Sequence, residues 1–399
     1  MSRWRRRRRE TQGAPLRPAM AALLVFLTVL SSTLLVATAR PFFAAAYPEH
    51  EGGLFLFMSV NLIGAVVGGP LLAFVGDATG RRSLVLMLAA VVDGALLFLC
   101  SLGLPLPLML GLRALQGGAN AGSCSVLMGL TSERGLGIAG GATVAAVAAG
   151  APLGTLLLGA DAAWPLQVGA MLPLVVAVAV AALQPGAEKK RGSFVGSLRL
   201  VLLPGAFVFA QRAAVGLFIV PFALLCHTRG LGDDVTGRLF AAFLVPFAVV
   251  TVLVPKTALP AATATIAGVV CCAGSLVAVG RVEGVALASL VLLAGGSGAA
   301  LVYAPALGLA GQVGKPGELA AVLRALNALG AWGMLAGSGG AFAIARGLAA
   351  LGASREASLI GAFDVAALLL VVALVVFIVP LAGLAVRLQE EGDDDDRPT

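Results

Sequence analysis

Long apolar blocks broken by short polar turns run through the chain from about residue 20 onward. The apolar positions do not alternate with polar ones; they come in unbroken stretches. Runs of about 18 or more apolar residues read as membrane-spanning helices. Twelve are expected, near residues 20–43, 53–75, 83–103, 106–130, 136–159, 163–183, 200–226, 236–255, 259–280, 284–308, 319–346 and 357–387. Each is long enough for a hydrocarbon core of ~30 Å at 1.5 Å rise per residue. Only helices and closed barrels satisfy the backbone inside lipid, and barrel strands would alternate in polarity. An all-α membrane protein with twelve transmembrane helices is therefore predicted.

The polar stretch "QPGAEKKRGSFVGSLR", Gln184 to Arg199, divides the spans into six and six. The predicted layout is a basic cytoplasmic amino terminus (1–19), a first bundle (20–183), a cytoplasmic linker (184–199), a second bundle (200–387) and an acidic tail (388–399). The tail "EEGDDDDRPT" reads as disordered and solvated.

Composition agrees with a membrane protein. Of 399 residues, 59% are hydrophobic and only 12% charged, too little polar surface for a soluble chain of this length. The 52 glycines suit helices packed closely in lipid. Cys100, Cys124, Cys226, Cys271 and Cys272 all fall in apolar runs and read as small buried hydrophobes, with no disulfide framework or metal-ligand spacing.

The formal charge is +7, and six arginines stand in "MSRWRRRRRE" ahead of the first span. Such a terminus is a topology signal rather than a nucleic-acid arm. With the amino terminus in the cytoplasm, 18 of the 27 lysines and arginines fall on that side, among them Arg134, Lys189, Lys190, Arg191, Arg199, Lys256 and Lys315. Both termini are thus expected in the cytoplasm, with the chain in the plasma (cell inner) membrane. The "ATA" at Ala37 to Ala39 resembles a cleavage site, but the preceding run is long enough to span and completes the count of twelve.

The stretch "GDATGRRS", Gly76 to Ser83, places one acid and two arginines between spans two and three. A short turn between antiparallel helices needs glycine, and Arg81 and Arg82 can anchor at headgroups. Asp77 can pair with a base or cap the next helix. Span four holds "RALQGGANAG", Arg113 to Gly122. An arginine inside a span is expensive and should face a partner or an aqueous cavity. Gln116 lies one turn along on the same face.

These two motifs, Asp-x-x-Gly-Arg-Arg between spans two and three and Arg-x-x-Gln-Gly in span four, resemble those of the major facilitator superfamily, in the pattern of its drug- and metabolite-exporter-like members. The glycine usual four residues before the aspartate is Ala73 here. "SERGLGIAGG", Ser132 to Gly141, looks like the loop entering span five in such exporters. "GAPLG", Gly150 to Gly154, loosely resembles the Gly-Pro motif of antiporters, with the glycines out of register. The second-half counterpart loop, "PKTALP", lacks the motif.

The resemblance implies two pseudo-symmetric six-helix bundles and secondary transport by alternating access. It implies a gate network of Asp77, Gly80, Arg81 and Arg82, and a coupling or substrate role for Arg113. Spans one, four, seven and ten usually line the cavity in this family. Arg113 and Gln116, Gln211 and Arg212 in span seven, and Tyr303 in span ten are therefore the candidate cavity residues. Asp93 in span three and Asp364 in span twelve are candidate proton carriers, since protonation of a buried carboxylate responds to desolvation and nearby charge. Span one holds no carboxylate, which weighs against proton coupling. Asn61 and Asn120 add neutral hydrogen-bonding groups, and Arg324 and Asn327 share one face of span eleven.

Three in-span arginines against two aspartates favour an anionic or zwitterionic substrate. Efflux of a drug or metabolite by a monomer in the lipid bilayer is the first reading, with protons as a candidate coupling ion. A uniporter or importer of a small metabolite, and a non-transporting receptor or assembly protein on the same scaffold, are the alternatives. No phosphate-binding loop, metal motif or nucleophile–base set appears, and His50 and His227 form no such cluster, so no enzyme activity and no cofactor is expected.

Overall fold

The computed structural model describes residues 16–50, 53–131, 133–159, 161–185, 201–257, 259–313 and 319–395, with the backbone alone for 133–135, 256, 320 and 385–395. Most of the basic terminus, the linker from residue 186 (with Lys189, Lys190, Arg191 and Arg199), Lys315 and the last four residues lie outside the described residues.

Twelve helices of membrane length follow one another. They are α1 (Pro18–Ala46), α2 (Gly53–Thr79), α3 (Arg82–Cys100), α4 (Leu106–Leu130), α5 (Glu133–Leu157) and α6 (Trp164–Leu183). Then come α7 (Leu202–Thr228), α8 (Asp233–Leu253), α9 (Ala261–Val279), α10 (Val285–Val313), α11 (Leu319–Ala350) and α12 (Arg355–Asp395). Eleven of them contain segments apolar enough to cross a membrane. The twelfth, α4, spans 25 residues but carries Arg113, Gln116 and Asn120 on one face. Among the described residues the only strand-like feature is an isolated bridge between Leu16 and Thr131.

Local chemistry accounts for several helix boundaries. Proline stands in the first turn of α1, α4 and α6, where its missing N–H has no intrahelical role. The tight turn from α2 to α3 passes through Gly80 at φ +68°, a conformation that costs glycine little. The acidic tail corrects the reading of a disordered end: α12 continues through Asp395. Extending an existing helix is far easier than nucleating one, and the Leu, Gln and Glu that follow Arg387 are good helix formers.

The chain forms two compact units. The first comprises Met1–Thr38, Ala44–Pro48 and Val60–Arg191; the second comprises Ala39–Phe43, Glu49–Ser59 and Gly192–Thr399. In the first, α1 packs on α4, α5 and α6, and α3 packs on α4 and α6. There α2 meets α4 backbone to backbone: a Cβ on Gly64 would stand 1.7 Å from the Ala114 carbonyl oxygen, and one on Gly117 1.9 Å from that of Asn61. In the second, α7 packs on α10, α11 and α12, α9 packs on α10 and α12, and α8 packs on α10. Adding six to every helix number of the first scheme yields the second. The two units repeat one packing plan although their loop motifs differ.

Each unit has its own core. Leu24, Leu86, Leu127 and Val180 join α1, α3, α4 and α6 in the first. In the second, Phe218 of α7 contacts Phe222, Phe240, Phe243 and Phe363, which ties α8 and α12 to the most enclosed helix of the protein. Of the five cysteines, Cys100, Cys226 and Cys272 are buried, and all five are free thiols.

Candidate functional site

The α2–α3 turn forms a compact charged knot. Arg82 Nε lies 2.6 Å from Asp77 Oδ1, and Arg82 Nη1 donates to the Gly129 carbonyl at 3.1 Å. One guanidinium thus links the end of α2, the start of α3 and the end of α4. Arg81 is exposed beside it, and Ala73 is buried one turn back along α2. The "GAPLG" glycines serve close packing: a Cβ on Gly154 would stand 2.2 Å from the Leu34 carbonyl oxygen of α1.

Deep in the first unit lies a polar chain built on α4. Arg113, Gln116 and Asn120 recur at spacings of three and four and so share a face. Arg113 Nη1 donates to Gln116 Oε1, which also accepts from Asn61 Nδ2 of α2 at 2.8 Å. Gln116 Nε2 donates to Asp93 Oδ1 of α3 at 2.5 Å. Asn120 Nδ2 donates to Asp93 Oδ2 at 2.8 Å and lies 3.0 Å from the Thr28 carbonyl oxygen of α1. Arg113, Gln116 and Asp93 are each at most 1% exposed. One buried positive and one buried negative charge are thus joined through a neutral amide. Buried charges persist when paired and fully hydrogen-bonded. Asn61 and Asn120 carry as much of this arrangement as the charged pair, and the i, i+7 spacing of Asn120 from Arg113 was the sequence signal for it.

The second unit holds a different group. Arg212 of α7 is half-buried, with its guanidinium carbon 4.9 Å from the centre of the Tyr303 ring of α10 and 6.0 Å from that of Phe247 of α8. The two rings stand 5.8 Å apart. Gly330 of α11 leaves room beside the arginine stem. Among the described residues Arg212 has no hydrogen bond and no ion pair. Cation–π contact steadies a guanidinium without neutralising it. Neighbouring Gln211 is 1% exposed, and its Oε1 has no hydrogen-bond partner among the described residues. Phe247 was missed in the sequence because nothing local marks it: it meets Arg212 only through the packing of three helices.

Asp364 belongs to neither group. Both its oxygens accept from Arg281 at 2.8 Å, across an exposed flank between α12 and the end of α9. The hydrogen bond from Arg281 to this carboxylate raises the pKa of the guanidinium above its ordinary value. Arg324 lies half-buried in α11. Among the described residues no cluster of three or more metal-ligating side chains occurs.

This plan of twelve helices, with the same packing scheme in each unit, is the fold of solved transporter structures. Three solved structures share it. A bacterial homologue of the human lysosomal transporter Spinster, inward-facing and occupied, superposes with a TM-score of 0.65 and 14% identity over 94% of this chain and 96% of that one. The nucleoside transporter NupG gives 0.70 and 10% over 92% and 99%. The human organic anion transporter MFSD10 (TETRAN) gives 0.65 and 18% over 90% and 98%. No protein-family model and no curated protein matches the sequence.

Proposed function

We propose that the chain is a secondary transporter of small organic anions or zwitterions, working by alternating access with its two six-helix units as the moving bodies. The observation that carries this reading is Arg212: a half-buried cation in a span, stacked on two aromatic rings, with no ion pair among the described residues. A charge held in a span without a counter-ion is suited to receive one from a ligand. The aromatic rings add an apolar wall for the body of such a ligand. The organic anion transporter among the structural neighbours agrees with this chemistry.

The Asp77–Arg82 knot is assigned to the gate, and the Arg113–Gln116–Asp93 chain to coupling. The exporter-like motifs favour outward movement of a metabolite or drug across the plasma membrane, with both termini cytoplasmic. Protons are the proposed coupling ion, and Asp93 their carrier.

The test is a flux assay on the purified chain in proteoliposomes, with panels of organic anions, zwitterions and cations and with imposed pH gradients. Anion flux driven by a pH gradient supports the whole proposal. Flux without response to the gradient replaces coupling with uniport. Competition by cations alone overturns the substrate class.

A further inference from the structure

The chain has two tyrosines, and they use their hydroxyls differently. Tyr47 donates to the Leu104 carbonyl at 2.5 Å. Tyr303 of α10 is only 6% exposed, yet its hydroxyl makes no hydrogen bond among the described residues. Buried tyrosine hydroxyls as a rule find a partner. The contacts of Tyr303 with Arg212 and Phe247 are made by the ring. The Arg212 guanidinium carbon stands 4.9 Å over its centre, and the Phe247 ring lies 5.8 Å away. A phenylalanine would make both contacts, so the hydroxyl adds nothing to the packing of this group.

The hydroxyl stands on the rim of the ring that the guanidinium covers, so one small ligand can reach both heads. The two differ in what they offer. A guanidinium only donates, and its planar fork suits a carboxylate. A phenolic hydroxyl either donates or accepts. The complement of the pair is therefore a carboxylate that carries a second hydrogen-bonding group, a hydroxyl or an amine, on the same small body. An anion with a wholly apolar body would satisfy the arginine and leave the hydroxyl facing carbon. A buried polar group left without a partner is what makes a site reject the ligand that lacks the matching group.

We propose that the Tyr303 hydroxyl sets the specificity of the Arg212 group, and that the ligand is a hydroxylated or amino-bearing carboxylate rather than an anion with a purely apolar body. Arg212 takes the charge, the Tyr303 hydroxyl takes the second polar group, and Phe247 borders the body. This inference rests on the reading of the chain as a transporter of organic anions or zwitterions, and it narrows that class.

The test compares two series of probes, meta- and para-hydroxybenzoate against meta- and para-methylbenzoate. Within each pair the charge is the same and the size nearly so; a hydroxyl replaces a methyl group. Initial uptake at low concentration and neutral pH is measured in proteoliposomes of the full chain and corrected for empty vesicles. The parent should favour the hydroxybenzoate at one ring position or both by about ten-fold, the equivalent of ~1.4 kcal/mol. Tyr303→Phe keeps the ring and should bring that ratio close to one, slowing the hydroxybenzoate far more than the methylbenzoate. The ratio is read within one protein, so it does not depend on how much of each variant is folded. Equal uptake of the two series by the parent, or a preference that survives Tyr303→Phe, overturns the proposal and leaves anion transport standing. Absence of uptake of both series overturns it too, and the wider anion panel shows whether the transport reading falls with it.

Discussion

Gln116 and Asp93 meet at 2.5 Å, where the amide of α4 donates to the carboxylate of α3 at a point with no exposed surface. Asn120 donates to the other carboxylate oxygen. Removing the carboxylate leaves two amide donors short of an acceptor, at about 1–3 kcal/mol for each one that stays unsatisfied. Asp93→Ala should therefore lower the midpoint of thermal unfolding in detergent by several degrees, and Asp93→Asn by less, since one acceptor remains. An unchanged midpoint for Asp93→Ala would show that the chain of hydrogen bonds contributes nothing to the fold.

The contact between α2 and α4 tolerates no side chain at Gly64, where a Cβ would meet the Ala114 carbonyl at 1.7 Å. Gly111, on the same helix as Ala114, has nothing within 4 Å of an added Cβ. Gly64→Ala should cost about 1–3 kcal/mol or more through forced separation of the helices. Gly111→Ala should be neutral or slightly stabilising through helix propensity. Thermal unfolding of the pair of variants, side by side, checks the contrast.

Asp77 and Arg82 form a partly exposed pair, with Asp77 at 39% side-chain exposure. Pairs of this kind contribute about 0–1 kcal/mol to stability. Asp77→Asn should leave unfolding almost unmoved while reducing transport at least several-fold, the outcome expected of a gate rather than a structural strut. Equal initial rates for the variant and the parent would remove the gate assignment.

Asp364 and Arg281 are joined by two bonds of 2.8 Å on an exposed flank. An aspartate so engaged is poorly placed to carry a proton through the protein. Asp364→Asn should leave both the rate and the pH profile of transport as in the parent. A changed pH profile would restore Asp364 as a carrier and displace Asp93.

The spans were legible because lipid leaves the chain few choices: a run of apolar residues must be helical there. The Asp77–Arg82 link was legible as well, since five residues around a glycine turn bring the two ends together. What the sequence could not express was register between helices. Nothing near Asn120 in the chain points to Asp93 or to Thr28, which come from α3 and α1. The convergence of Phe247, Tyr303 and Arg212 likewise depends on how α8, α10 and α7 settle against one another. The tail misled because its composition is that of a solvated segment, whereas a helix already formed through Arg387 extends readily into it.

Arg212 is where the account is most exposed to failure. The decisive measurement compares the initial rate of organic-anion uptake into proteoliposomes for the parent chain and for Arg212→Gln, at matched amounts of folded protein. Hydrogen bonds to a charged partner contribute about 1.5–3 kcal/mol, which corresponds to a loss of roughly ten- to a hundred-fold. A drop of that size with an unchanged unfolding midpoint is the predicted result. Equal rates for the two proteins, or no uptake above that of empty vesicles, would contradict it.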